Sequence, residues 1–395
     1  MSLAEVVQKI ARRVVRAFKL LTFQPRPRGM VRLTMENAQS LYGSRADVTI
    51  HSFHREDPVP LIPPKHLPED LNFSFSEFQF PKLRSSYSAV LLDIRNPNFT
   101  FQQNHLIDDE RRVLYEPKVR FEDLPISHQF LVPTKKIQGT VAYLSNTLFC
   151  HYGHWLQTQL PLLLSYWETF GKENIDYYYI GDGTTKDFVE ESLMCIGISK
   201  ENIINFPCAA DRSLISIKYR DPDHGFKMDG YTHNFLQRVL FQPRNFQQNG
   251  SAQKKLFVSR GNVKIRKELN LGEIKQALAP LGFQFLSMDG KTMQEEADIF
   301  GGADVIISVH GSALHNVIFS RPGTKVIEIF APDYLEASNF FIANHSRCEY
   351  YYLIGEKTGD VKGDISISQR NDLDVIVNIE KLLKLCALAG VDQSN

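Results

Sequence analysis

The sequence predicts a two-domain α/β protein whose second half is built on a parallel sheet with helices on both faces. Three observations lead there. The chain has 395 residues, more than a single hydrophobic core ordinarily organises. From residue 254 onward, apolar runs of strand length alternate with segments of helical period. Two of those runs, VIISV and KVIEIF, are nearly continuous, the pattern of strands buried on both sides.

Composition narrows the function classes. The chain is 43% hydrophobic and 23% charged, as expected of a soluble globular protein. Lysine plus arginine equals aspartate plus glutamate at 45 each, which argues against an overall attraction to nucleic acid. Five cysteines, Cys150, Cys195, Cys208, Cys348 and Cys386, form no C-x-x-C pair, so neither a zinc site nor a disulfide framework is expected and a reducing compartment fits best. No run of apolar residues is long enough to span a bilayer, and the N-terminus lacks the apolar region and cleavage site of a signal peptide. The expected location is cytoplasmic.

Residues 1–29 read as a basic amphipathic helix. Lys9, Arg12, Arg13, Arg16, Lys19, Arg26 and Arg28 face only one acidic residue, Glu5, and Val7, Ile10, Ala11, Val14, Val15, Phe18 and Leu21 would form an apolar stripe. Residues 5–22 could thus lie on an anionic membrane surface, peripheral at the inner face of the cell membrane. An ordinary helix docked on the protein with its charged side in water explains the same pattern.

Residues 30–249 are expected to form the first, acceptor-side α/β domain. Up to about Phe130 the pattern is proline-rich and irregular and reads as loops and short strands. Beyond it, TVAYL reads as a strand, HWLQTQLPLLLSYWETF as a helix, DYYYIG as a strand, KDFVEESLMCIG and YTHNFLQRVLF as helices. The polar stretch FQPRNFQQNGSAQKK suits a linker, which puts the boundary near residue 250. In residues 250–395, KKLFVS, FQFLSM, DVIISV and KVIEIF are strands, LGEIKQALAPLG, KTMQEEADIFGG and SALHNVIFS helices, and DVIVNIEKLLKLCALAG a final helix near the domain junction.

An open parallel sheet binds ligands beyond the carboxyl ends of its strands. The residues there are unusually polar. Ser259 and Arg260 follow the first strand, with Arg266 in the same loop; Asp289 follows the second; His310, Gly311 and Ser312 follow the third; Glu328 lies near the end of the fourth. The turn in SVHGSALHN would aim backbone N–H groups and a helix N-terminus at an anion; a glycine that merely permits a tight strand-to-helix turn explains the same residues. Arg260 and Arg266 offer the forked donors that phosphate oxygens accept, and Glu328 could accept from ribose hydroxyls. Neither the G-x-G-x-x-G fingerprint nor a P-loop lysine motif occurs, which disfavours a dehydrogenase.

The segments FVSRGNVKIRKELN and ADVIISVHGSALHNVIFSRPGTKVIEIF resemble the C-terminal signature of glycosyltransferase family 61, and HYGHWLQTQLP resembles its upstream histidine-tryptophan motif. The resemblance covers roughly residues 140 to 335. It implies a GT-B-like architecture, two facing Rossmann-like domains with parallel sheets and the nucleotide sugar on the C-terminal one, and sugar transfer with inversion to a glycan or lipid-linked acceptor. By the same resemblance Arg260 and Arg266 match the basic loop, His310, Gly311, Ser312, Ala313 and Asn316 the diphosphate turn, Glu328 the acidic strand end and His154 the upstream histidine. One departure stands out: Thr158 occupies the position four residues after that histidine where the family often has a carboxylate.

Inverting transfer needs one base to take the acceptor's proton, and His154 is the candidate, with His151 in reserve. Arg260, Arg266 and the helix N-terminus after His310 would stabilise the leaving diphosphate without a required metal or other cofactor. Capsule, lipopolysaccharide or a related surface glycan is the expected product class. A metal-dependent transferase using the D-x-D of Asp221 and Asp223 is the first alternative, a spacing repeated at Asp372 and Asp374 and expected about once by chance. A glycan-binding protein that has lost turnover is the second.

Overall fold

The computed structural model describes residues 27–56, 61–72, 86–102, 104–115, 131–145, 151–182, 186–218, 227–240, 254–261, 263, 266–332, 334–356 and 374–391. The expected amphipathic helix falls, except for its last three residues, outside the described residues. The expected linker near residue 250 and the D-x-D residues Asp221 and Asp223 lie outside them too.

Among the described residues, the first sheet has ten strands. They are β1 (Gly29–Arg32), β2 (Val48–Glu56), β3 (Ser86–Ile94), β4 (Thr100–Gln102), β5 (His105–Ile107), β6 (Arg112–Tyr115), β7 (Lys135–Tyr143), β8 (Tyr177–Tyr179), β9 (Ile203–Ile204) and β10 (Cys208–Lys218). The parallel sheet expected here is corrected to a mixed one. Strands β10, β7, β8 and β9 are parallel neighbours, but β3 runs antiparallel to β10 and β2 antiparallel to β3. The reason the sequence did not show it lies in β2, VTIHSFHRE, which buries only Val48 and Phe53, on opposite faces, and exposes Thr49, Ser52, His54 and Glu56, so it carries no continuous apolar run that would mark a strand or its direction.

Helix α1 (Met35–Tyr42) is capped by Thr34, whose hydroxyl accepts from the Asn37 amide at 3.1 Å. The segment read as one helix from His154 is three pieces: a single turn Tyr152–His154, a π-helical turn Trp155–Gln159, and α2 (Leu162–Phe170) after Pro161. Helices α3 (Asp187–Cys195) and α4 (Gly230–Leu240) fall where their periodicity puts them.

The second sheet is wholly parallel. Its strands are β11 (Lys255–Val258), β12 (Phe283–Leu286), β13 (Val305–Val309), β14 (Lys325–Phe330) and β15 (Glu349–Ile354), in the spatial order β12-β11-β13-β14-β15. Helices α5 (Leu271–Leu278), α6 (Met293–Gly301), α7 (Ser338–His345) and α8 (Ile379–Leu388) connect or cover them. Helix α6 opens on a capping box: Thr292 Oγ1 accepts from the Glu295 amide at 3.2 Å while Glu295 accepts from the Thr292 amide at 2.8 Å. SALHNVIF is a 3-10 helix, closed by i to i+3 bonds such as Leu314 N to Gly311 O at 3.0 Å.

Strand alternation divides the core into three. In β13, Ile306 faces one side and Val305, Ile307 and Val309 the other; in β3, Tyr87, Ala89 and Leu91 oppose Val90, Leu92 and Ile94. The inward sets of both sheets join α2, α3, α4, α6, α7 and the 3-10 helix in one continuous cluster. The outer face of the second sheet is covered by α5 and α8, that of the first by α1. Residues 61–67 also cross to the second sheet: Lys65 accepts from the Tyr352 amide and donates to the Tyr350 carbonyl, both at 3.0 Å, along the edge of β15.

Candidate functional site

The chain leaves β11 for β12 on one side and then crosses to β13 on the other, so a crevice opens beyond the carboxyl ends of β11 and β13. Ser259, Arg260 and Gly261 follow β11 there, and His310, Gly311 and Ser312 follow β13. They meet closely. A Cβ on Gly311 would lie 1.7 Å from Nη1 of Arg260, so the guanidinium rests directly on this glycine. The backbone of Gly311 is extended and open to any residue, so an added side chain here would have to displace the Arg260 guanidinium. Gly261 has φ +61°, and a Cβ on it would lie 2.2 Å from Asp289 Oδ2. Asp289, Arg260 and Gly311 therefore line up across three strand ends, with Asp289 exposed.

Each of the two arginines buries one nitrogen without a partner among the described residues. Burial, aided by the like charge of Arg266, pushes the Arg260 guanidinium down to about 10, while Glu268 and Asp289 oppose the fall. Among the described residues, Nε of Arg260 and Nε of Arg266 are buried without a hydrogen-bond partner. Arg266 adopts φ +56° and holds its guanidinium 5.2 Å above the Tyr334 ring. Unmet buried donors on neighbouring cations are costly unless an anion with several oxygens lies between them. A diphosphate fits that requirement.

His310 and Glu328 are brought together, though in a different relation from a strand end facing ribose. Glu328 has 0% exposure. Its Oε1 accepts from His310 Nδ1 and from Asn339 Nδ2, each at 2.6 Å, and its Oε2 accepts from the Tyr350 hydroxyl. The carboxylate is enclosed because Asn339 of α7 and Tyr350 of β15 fold over it, and its contact with the site runs through the imidazole. The His310 ring stacks on Phe330, with 5.3 Å between centroids, and meets Tyr334 edge-on at the same separation. Ser312 and Ala313 are half-buried at the start of the 3-10 helix.

The upstream histidine motif locks onto the same helix. Gly153 packs on His315, whose ring would lie 2.9 Å from an added Cβ, and Gln157 Nε2 donates to His315 Nε2 at 2.6 Å. Burial first, and then the charges of His310, His154 and Lys227, push His315 down to about 3, so it is a neutral acceptor. Asn316 is fully buried, with both ends of its amide engaged inside the fold: it accepts from the Tyr152 hydroxyl and donates to Glu296 Oε2 at 2.9 Å. Trp155 is buried and donates to Ser192 Oγ at 2.8 Å. His154 and His151 are exposed, with ring centroids 6.3 Å apart, and the Thr158 hydroxyl donates to the His154 carbonyl at 2.7 Å. The intervening π-helical turn, closed by Leu160 N to Trp155 O at 2.9 Å, is a distortion frequently found at functional sites.

Residues 152–327 match the model of the family described as Glycosyltransferase 61. This segment belongs to glycosyltransferase family 61. No curated protein matches the chain. The family 61 segment starts at Tyr152 and ends one residue before Glu328, so it takes in both interlocked motifs and both arginines. The match indicates a glycosyltransferase in general terms, a class whose members take a nucleotide sugar as donor and a glycan as acceptor.

Within the family 61 segment, sequence reasoning missed Gln157, His315, Glu296 and Tyr152. A histidine three residues after Ser312 was a usable signal, but its partner lies 158 positions away and only the fold joins them. Among the described residues, no cluster of three or more histidines, cysteines or carboxylates has metal-binding geometry. Likewise, no described helix is long and apolar enough to cross a membrane.

Proposed function

We propose that the chain is an inverting glycosyltransferase that moves a sugar from a nucleotide-sugar donor to a hydroxyl of a glycan or glycolipid. Arg260, Arg266 and the Gly311–Ser312 turn bind the donor's diphosphate, with Asp289 at the same rim. The observation that carries this reading is the Arg260 guanidinium, mostly buried against Gly311 at the switch point with its Nε unmatched. The negative charge that grows on the leaving diphosphate is stabilised by these arginines, and no metal is assigned a part. His154 takes the acceptor's proton, with His151 in reserve; exposure on a one-turn helix leaves His154 open to an acceptor. The two sheets serve as the donor and acceptor halves of a GT-B-like arrangement. Surface polysaccharide, capsule or lipopolysaccharide, is the product class we favour, made at the inner face of the membrane with residues 5–22 on anionic lipid.

The test is a thermal-shift screen of nucleotide sugars on the parent and on Arg260→Ala. A donor should raise the melting temperature of the parent and leave the variant unmoved. Equal stabilisation of both would remove the diphosphate from this rim. Deleting residues 1–25 should reduce binding to anionic vesicles, and unchanged binding would end the membrane proposal.

A further inference from the structure

The hydrogen bonds around Glu328 define the protonation of His310. Asn339 Nδ2, the Tyr350 hydroxyl and His310 Nδ1 all converge on the two carboxylate oxygens. With Glu328 as a carboxylate, which can only accept, the contact with His310 assigns the hydrogen to Nδ1. Tyr350 stays a donor, because burial and Glu328 hold its hydroxyl far above the ordinary phenol value. In the neutral ring, Nε2 is then a bare lone pair. A phosphate oxygen is also an acceptor, and two acceptors repel. The ring cannot turn away to avoid this, clamped as it is by Phe330, Tyr334 and the Glu328 bond.

We propose that His310 meets the donor's diphosphate as an imidazolium, so that binding of the diphosphate takes up a proton at Nε2. The inference rests on the donor reading above and adds the chemistry by which the site distinguishes its occupied state. The charged and titratable groups around the ring decide the balance. Glu328 faces it from β14, Tyr350 from β15, Tyr334 from the loop after β14, and Arg260 and Arg266 from the loop after β11; His315 stands behind it on the 3-10 helix, near His154 and Lys227. In the free protein, burial depresses the imidazole, Arg266 and Arg260 add to the depression, and Glu328 alone opposes it. A diphosphate offsets the charge of both arginines and adds to that of Glu328, reversing the sign of the field at the ring. The Nε2 hydrogen then points at the phosphate oxygen on which charge accumulates as the bond to the sugar breaks. The electron pair of that bond leaves with the diphosphate, and the acceptor's proton goes to the base on the other side.

The experiment is titration calorimetry with uridine, guanosine and adenosine diphosphate at about pH 7.5, where the free nucleotide is largely ionised, in two buffers of different ionisation enthalpy. The expected result is uptake of about half to one proton per diphosphate bound, with affinity falling up to about tenfold per pH unit above neutrality. His310→Gln should bind more weakly and without uptake, its fold checked by circular dichroism. Glu328→Gln should reduce uptake by removing the counter-charge. The parent measurement alone already decides, should either variant fail to fold. Binding with no uptake would overturn the inference and leave the donor reading standing, and uptake that persists in His310→Gln would do the same. Failure of all three diphosphates to bind would overturn the donor reading and this inference with it.

Discussion

In the first sheet, Lys218 lies buried 2.7 Å from Asp229, whose carboxylate also accepts from the Thr232 hydroxyl at 2.8 Å, and Arg212 grips both oxygens of Asp93 at 2.7 and 2.9 Å. At the rim of the second sheet, Arg260 and Arg266 are half-buried, and their Nε atoms are withdrawn from water with no partner among the described residues. The contrast separates two uses of buried charge. A cation matched within the chain holds the fold; a cation left unmatched costs stability, and under the function proposed above that cost is recovered when an anion binds.

The largest expected effect lies on the matched side. Asp229→Ala strands the Lys218 ammonium and should cost about 3–5 kcal/mol in urea unfolding. Its pH dependence has a definite sign. Burial alone would raise the Asp229 carboxyl, but Lys218 and Thr232 bring it below its usual value. Its stabilisation is therefore present above the unfolded-state value and is lost as pH falls below about 4; a parent whose stability is flat through that range would contradict the pairing.

On the unmatched side, Gly311→Ala pushes a methyl group into the Arg260 guanidinium and should lower kcat/KM by about 100-fold. Its melting temperature should stay close to the parent's, because no internal ion pair is broken; a large drop would place Arg260 with the structural cations after all. Asn316→Ala tests the joint between the two motifs. It leaves Glu296 and the Tyr152 hydroxyl without their shared partner and should cost about 1–3 kcal/mol in thermal unfolding. Smallest is Thr158→Val, which removes only a bond to the His154 carbonyl and should change stability by about 0.5 kcal/mol or less. If Thr158→Val instead abolished turnover, the position where the family often has a carboxylate would carry chemistry here through a hydroxyl.

What could be read from the sequence followed burial. VIISV and KVIEIF are buried on both faces, so their runs are continuous and their strands fall where expected. Strand β10 escaped notice because CAADRSLISIK interrupts its apolar run with Asp211 and Arg212, and the latter is balanced by Asp93 of the neighbouring strand β3, 119 positions earlier in the chain. Strands β2 and β3 flank proline-rich segments and were read as irregular. Arg260, Arg266 and Gly311 lie at the rim where the sequence places them, because a parallel sheet fixes where its carboxyl ends lie. Glu328 and Asn316 were placed at that rim too, and both are interior. Their covering residues, Tyr350, Asn339, Tyr152 and Glu296, come from segments whose positions no local pattern reveals. The mixed pairing of the first sheet was equally hidden, since alternation marks a wet face and not a strand's direction.

The short crossing of residues 61–67 onto β15 limits how this protein can be divided. A fragment beginning near residue 250 would carry all five strands of the second sheet, but with the Tyr352 amide and the Tyr350 carbonyl bare along one side. Such a fragment would self-associate through that margin unless a synthetic peptide spanning Leu61 to Asp70 were added to shield it. During synthesis the same dependence runs in reverse: the early segment must wait for nearly three hundred further residues before its docking partner leaves the ribosome, so final closure of the sheet is a late event.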